Sequence, residues 1–182
     1  MKSMRHFVAA LSVAVLAVAG SGGTALADTA PGEMLGDSTF TNGTGQWWGN
    51  DVDIRATNGE LEADVPSGGF GDLPGGIVNP WDRSIGYSPL SFTGQQLYTL
   101  SFDARATRGV TLDVSVYTYD TGQYIPSWDR PVALTTTTQH FEVPVAMYYT
   151  ASERSLGFQV GTYGPAYHLY LDNISLVPAQ NG

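Results

Sequence analysis

Two stretches of this chain alternate so regularly that they leave little freedom in the fold. In "YTLSFDARA" the side chains of Tyr98, Leu100, Phe102, Ala104 and Ala106 share one side, and Thr99, Ser101, Asp103 and Arg105 share the other. "VTLDVSVYTYD" repeats the pattern, with Val110, Leu112, Val114 and Val116 opposite Thr111, Asp113, Ser115, Tyr117 and Tyr119. A period of two means an extended strand with one face in a core and one face outside. The "ATRG" segment at 106–109 between them predicts a hairpin turn.

Further strands are expected at "VDIRA", "GELEADVP", "HFEVPVAM", "SLGFQVGTY" and "YHLYLDNISLV", separated by Gly, Pro, Asn and Thr. No stretch shows a convincing amphipathic helix. Seven or more short strands with glycine-rich turns predict an all-β fold, a β-sandwich of two antiparallel sheets. With no internal repeat, low-complexity linker or break in composition, residues 37–178 are expected to form one module, with a short arm at 28–36 before it and a tail at 179–182 after it.

Residues 1–27 have the form of a secretory signal: Lys2 and Arg5, then the apolar "FVAALSVAVLAVAG", then Ala25-Leu26-Ala27 as a small-x-small cleavage pattern. The expectation is an exported, extracellular, soluble protein of 155 residues. That part holds six basic side chains, all arginine, against 17 acids, a net charge of −11. Phosphate neutralisation needs clustered Lys and Arg, so nucleic acid and anionic membranes are poor partners. Cysteine is absent, and a bound metal ion can staple a secreted domain in place of disulfides.

The aromatic residues carry the functional signal. Beyond residue 27 there are 4 Trp, 10 Tyr and 6 Phe, more than the inward register positions can hold. Neighbours in a strand face opposite ways, so of Trp47 and Trp48 only one can enter the core by simple alternation. Tyr117 and Tyr119 end the polar face of their strand in two large rings. Trp81 in "NPWDRS", Tyr87 in "GYSP", and Tyr124 and Trp128 in "GQYIPSW" fall in segments with the Gly and Pro content of loops. In "SLGFQVGTY" Leu156, Phe158 and Val160 point inward, so Gly157, Gln159 and Gly161 point out and predict an open floor bearing one amide. Flat rings with Gln, Asn and Asp suit a neutral sugar chain: its C–H faces lie on the rings, and its hydroxyls pair with the polar groups.

Signals for catalysis are weaker. Glycoside hydrolysis needs two carboxyl groups about 5–10 Å apart. Asp82, Asp113, Asp120 and Asp129 are available, yet no pair is marked. Glu60, Glu62 and Asp64 alternate with Leu61, Ala63 and Val65 as the solvated face of a strand. The sequence has no Gly-x-Ser-x-Gly elbow, no His-Glu-x-x-His and no cysteine nucleophile.

Taken in order, "STFTNGTGQWWGN", "GELEADVP", "NPWD", "YTLSFDARA…VTLDVSVY", "TTTTQHFEV", "LGFQVG" and "LYLDNISL" resemble the CenC-type carbohydrate-binding modules over about residues 35–177. The resemblance implies a jelly-roll sandwich that binds single β-glucan, amorphous cellulose or xylan chains in a cleft on its concave sheet and has no catalytic activity. It places Trp48 and Gln159 in the cleft, with Tyr87, Tyr117, Tyr119 and Tyr124 at further contact positions. Trp47 then packs into the core, the reverse assignment standing if a bulge shifts the register. Trp81 and Asp113 join the candidate contacts from the aromatic reading above.

The resemblance also implies a structural calcium away from the cleft, at positions matching Thr39, Gly59 and Asp172. Register supports a kink there, because Leu169 and Leu171 share a parity that Ile174 and Leu176 do not. Such a module usually accompanies a larger enzyme, so this chain is expected either to act alone or to be a remnant of one. The function expected is that of a secreted, monomeric binder of a neutral polysaccharide. The alternatives are a small glycoside hydrolase or polysaccharide lyase on the same fold, or a protein-binding module.

Overall fold

The computed structural model describes residues 31–68 and 79–179. The signal-peptide expectation at 1–27, the start of the arm at 28–30 and the end of the tail lie outside the described residues. Ten strands form two antiparallel five-stranded sheets. They are β1 (Trp47–Asn50), β2 (Asp53–Thr57), β3 (Glu60–Val65), β4 (Ser84–Phe92), β5 (Gln96–Ala106), β6 (Val110–Asp120), β7 (Gln123–Leu134), β8 (Gln139–Met147), β9 (Ala151–Gln159) and β10 (Tyr167–Pro178). The first sheet runs β1-β4-β9-β6-β7 and the second β2-β3-β10-β5-β8. The β-sandwich expected from the alternation is the fold found.

The core is the meeting of the two apolar sets. Val114, Val116, Leu156 and Phe158 of the first sheet face Leu61, Leu100, Phe102, Leu169 and Leu171 of the second, all buried. Phe102 and Phe158 cross edge-to-face between the sheets, ring centroids 5.1 Å apart, a favoured aromatic geometry. The arm is tied down over its described part: Met34 N–H donates to the Leu176 carbonyl, and Glu33 Oε1 accepts the Leu176 N–H, each at 3.0 Å.

The predicted hairpin at 106–109 does not form. β5 pairs with β8 and β10, whereas β6 pairs with β7 and β9, so residues 107–109 carry the chain from one sheet to the other. Three extended residues span about 10 Å, the usual separation of packed sheets. The Ala106 N–H to Thr135 carbonyl and Thr107 N–H to His168 carbonyl bonds, at 2.9 and 3.0 Å, hold the corner. Each strand buries its apolar side against the other sheet, and alternation alone is equally satisfied by that and by a hairpin. True two-residue hairpins occur at Asn58-Gly59 and at Thr121-Gly122, where all four residues have positive φ, the mirror-turn geometry that matches strand twist.

Segments with Gly and Pro that resemble loops in the sequence are strands here. Tyr87 lies in β4, and Tyr124 and Trp128 lie in β7. β7 is an edge strand, which accommodates Pro126 and Pro131, and Pro89 falls where the pairing of β4 with β9 shifts register.

Candidate functional site

The outer face of the first sheet collects most of the candidate residues, and its register orders them in rows. One row crosses four strands as Asn50, Ser84, Gln159 and Asp113: an amide, a hydroxyl, an amide and a carboxylate. The next row reads Trp48, Gly86, Gly157, Ser115 and Asp129. Both rows point away from the core because their strand neighbours Trp47, Ile85, Phe158 and Val114 point into it.

The tandem tryptophans divide accordingly. Trp47 is buried against Phe40, Tyr87 and Phe158, and its Nε1 donates to Ser38 Oγ at 3.2 Å. Trp48 lies on the other side of the strand, with Nε1 donating to Ser88 Oγ at 3.1 Å. Its ring covers Gly86 so closely that a Cβ there would sit 2.3 Å from Cζ2. Glycine is what allows the indole to lie flat on the sheet as a half-buried platform.

Gly157 does the same for Tyr117, whose Cε1 would be 2.6 Å from a Cβ at that position. The open floor expected from the sequence is therefore not open: Tyr117 fills the space over Gly157. Gly161 is closed as well, because a Cβ there would lie 2.1 Å from the Asn79 carbonyl oxygen. That carbonyl belongs to the turn leading into the short 3-10 helix Pro80–Asp82, which is held by the Asn50 Nδ2 to Asp82 carbonyl bond at 3.0 Å.

Tyr117 is buried rather than outward-exposed, and burial raises its phenol pKa to about 12, with Ser84 and Gln159 beside the hydroxyl offsetting part of the rise. Tyr119 and Tyr124 pack around it at centroid distances of 5.6 and 5.0 Å. Trp81 stacks on Tyr124, 5.4 Å apart with planes only 5° from parallel, and stays 40% exposed. Tyr119 OH donates to the Trp81 carbonyl at 3.3 Å and its ring is 48% exposed. Gln159 is buried, with Nε2 donating to Ser115 Oγ at 2.9 Å. Desolvation, reinforced by the Asp129 carboxylate, holds the Asp113 carboxyl above its ordinary range.

Trp48, Trp81, Asp113, Tyr117, Tyr119, Tyr124 and Gln159 thus meet on one face. Tyr87 does not belong with them. It is buried on the core side of β4 against Trp47, donates to Gln46 Oε1 at 2.5 Å and accepts the Gly36 N–H at 2.9 Å. A one-residue difference in parity from Gly86 decides this. Ser115 and Asp129 complete the face, the first expected on the outward side of its strand and the second considered only as a candidate carboxylate, together with Asn50, Ser84 and Ser88, which were not singled out by the sequence. The alternation of Ser84, Gly86 and Ser88 with Ile85 and Tyr87 carried the signal, masked by glycine and proline.

The candidate calcium ligands lie on the opposite sheet. Leu171 pairs with Leu61, which carries Asp172 beside Glu60 and the Gly59 turn, and the Thr39 carbonyl oxygen is 3.8 Å from where a Gly59 Cβ would be. The expected irregularity is present, with the β10 register shifting between Asp172 and Ser175 and Asn173 at φ 50°. Burial first, then the Glu60 and Asp103 charges, push the Asp172 carboxyl up to about 6, against the pull of the Asn173 N–H. A half-buried carboxylate held back from ionising by burial and by the Glu60 and Asp103 charges fits a hard cation.

No family model matches the chain, and no curated protein does. Several proteins of known structure are similar in fold. The N-terminal cellulose-binding domain of Cellulomonas fimi β-1,4-glucanase C is 22% identical, with 82% of this chain and 99% of that domain covered at a TM-score of 0.64. The second such domain of that enzyme is also 22% identical, covering 82% and 96% at 0.63. A family 11 carbohydrate-binding module from Clostridium thermocellum, in complex with a β-1,3-1,4-mixed-linked tetrasaccharide, is 14% identical, covering 83% and 98% at 0.50. The jelly-roll sandwich implied by the resemblance to CenC-type modules is therefore the fold of this chain, nearly end to end with the cellulose-binding domains of that glucanase.

Proposed function

We propose that this protein is a secreted, monomeric, non-catalytic module that binds a single chain of a neutral polysaccharide, a β-glucan, amorphous cellulose or a xylan, across the outer face of its first sheet. The observation that carries the reading is the Trp48 ring laid over Gly86, with the exposed Trp81 and Tyr119 on the same face, beside a four-strand line of amide, hydroxyl and carboxylate groups. Exposed rings accept the C–H faces of pyranoses, and Asn50 and Asp113, the accessible ends of the polar row, offer a donor and acceptors to hydroxyls. The cellulose-binding names of the two glucanase domains and the tetrasaccharide in the family 11 module support the same ligand class. Export rests on the leader at 1–27. A structural Ca²⁺ held by the Thr39 and Gly59 carbonyls and Asp172 clips the first residues of the module to its last strand. The acidic surface leaves nucleic acid and anionic membranes without a docking charge.

Affinity electrophoresis in gels containing barley β-glucan, hydroxyethylcellulose or xylan tests the proposal. Retardation is expected in at least one, and Trp48→Ala should weaken it by about thirtyfold, the ~2 kcal/mol typical of a central tryptophan contact. Unretarded migration in all three gels would remove the reading. The closeness of Asp113 to Asp129, and the raised pKa of Asp113, favour one second reading, a glycoside hydrolase with this pair as its acid and base. New reducing ends from the same glycans, abolished in Asp113→Ala, would establish it.

A further inference from the structure

The outer face of the second sheet holds a cluster that glycan binding does not use. Glu62 and Asp64 are two residues apart on β3 and share that face, and His168 on β10 is the direct cross-strand partner of Asp64. Their candidate ligand atoms lie within 4.8 Å of one another. His168 Nδ1 is 2.5 Å from Asp64 Oδ1 and 3.5 Å from Glu62 Oε1. Two residues at i and i+2 with a cross-strand neighbour place three side chains in a triangle on a pleated sheet.

We propose that Glu62, Asp64 and His168 form a second metal site, for a divalent transition ion of the Zn²⁺ type, separate from the proposed calcium position at Asp172, which is four residues from His168 along the same strand. Bonds of about 2.0–2.2 Å in a tetrahedron put ligand atoms roughly 3.3 Å apart. The His168–Glu62 spacing already matches that edge, and the His168–Asp64 contact needs to open by less than ~1 Å. An imidazole with two carboxylates suits zinc, whereas calcium prefers an all-oxygen shell.

Charge points the same way. Asp53 stands directly across from Asp64 on the edge strand β2, so three carboxylates gather here and the Arg55 guanidinium pairs with two of them, Glu62 and Asp64. Arg105 also lies close enough to act on Glu62, and the acidic surplus that remains is what a divalent ion neutralises. Arg55 holds both oxygens of Asp64, NH1 donating to Oδ2 and NH2 to Oδ1 at 3.2 Å, so it is the cation that an ion at this site displaces from Oδ1. Its NH2 releases Glu62 Oε1, at little cost for a half-exposed side chain. A hollow of about 330 Å³ bordered by Asp53, Asp64, Pro66, Thr107, Tyr167 and His168 leaves room for metal-bound water in the fourth position.

Calorimetric titration of the full chain with ZnCl₂ near neutral pH, in saturating Ca²⁺, tests the assignment. One equivalent is expected to bind, with His168→Ala and Asp64→Asn each weakening it by about tenfold or more. Arg55→Gln removes the competing cation and should tighten it. In NMR spectra the imidazole signals of His168 should move on saturation while those of His140, paired with Asp103 elsewhere on the sheet, stay in place. No saturable binding, wild-type affinity in His168→Ala, weaker binding in Arg55→Gln, or a shift confined to His140 would each overturn the site.

Discussion

The two outer faces of this sandwich arise from the same alternation and end in opposite chemistry. On the first sheet the outward positions are Trp, Tyr, Gly, Ser and amides with the carboxylates of Asp113 and Asp129, and the Trp48 ring lies flat because Gly86 beneath it leaves no side chain in the way. On the second sheet the outward positions form rows of paired charges, Arg55 with Glu62 and Asp64, and Arg105 with Glu60, the latter guanidinium also lying 4.0 Å over the Tyr170 ring. One face presents aromatic rings and few ion pairs, which is why the proposed ligand is a neutral chain. The other satisfies most of its own charges, apart from the acidic surplus around His168 and Asp172. Exposure alone thus does not mark a binding face; what matters is whether the outward side chains are already partnered.

The sharpest break of this comparison comes from the adjacent tryptophans. Trp47→Ala empties a core site bounded by Phe40, Tyr87 and Phe158 and should cost about 3–5 kcal/mol in denaturant unfolding. Trp48→Ala should cost clearly less stability while losing most glycan retention. If the two variants were equally destabilised, Trp48 would be a packing residue and the first face would lose its platform.

The proposed calcium clip predicts the next largest effect. An extracellular site with a dissociation constant of about 10⁻⁴–10⁻³ M contributes roughly 1.5–3 kcal/mol at 10 mM Ca²⁺ by mass action. Thermal unfolding with and without a chelator should show that difference in the wild type and lose it in Asp172→Asn. Glycan retention should persist under chelation at temperatures where the fold is intact, because the clip and the glycan face lie on different sheets.

Arg105→Gln is a milder probe of the charged face. It removes the Glu60 pair and the contact over Tyr170, both partly solvated, so the expected loss is about 1 kcal/mol or less. Retention in glycan gels should be unchanged. A retention loss as large as that of Trp48→Ala would show the two faces to be coupled.

The strand pattern was legible wherever one face was apolar and the other polar, as in β5, β6, β8 and β10. β4 and β7 were not, because Gly86, Pro89, Pro126 and Pro131 carry loop chemistry while sitting in ladders, at an edge or at a register shift. That obscured the parity of Tyr87 and with it the row of Ser84, Gly86 and Ser88. Gln159 was legible through its inward neighbour Phe158, whereas alternation left Trp47 and Trp48 interchangeable and only the resemblance to CenC-type modules chose Trp48. The closed floor was not legible, since a glycine facing outward is the same letter whether the space above it holds a ligand or a tyrosine ring.

Asp113 offers the finest test of the first face. Its carboxyl sits above the ordinary range because burial and the neighbouring Asp129 both penalise the charged form. A folded-state pKa above the unfolded value means that stability present below the unfolded pKa is lost as pH rises through the folded one. Asp113→Asn removes that loss, so the variant should be slightly more stable than the wild type at neutral pH, with the difference vanishing as both approach the acid side of the carboxylate range. Paired denaturant curves at neutral and acidic pH measure it. If the asparagine were instead the less stable residue at neutral pH, the aspartate would be held by a partner in the folded protein. The polar row on the first face would then resemble the self-satisfied charges of the second.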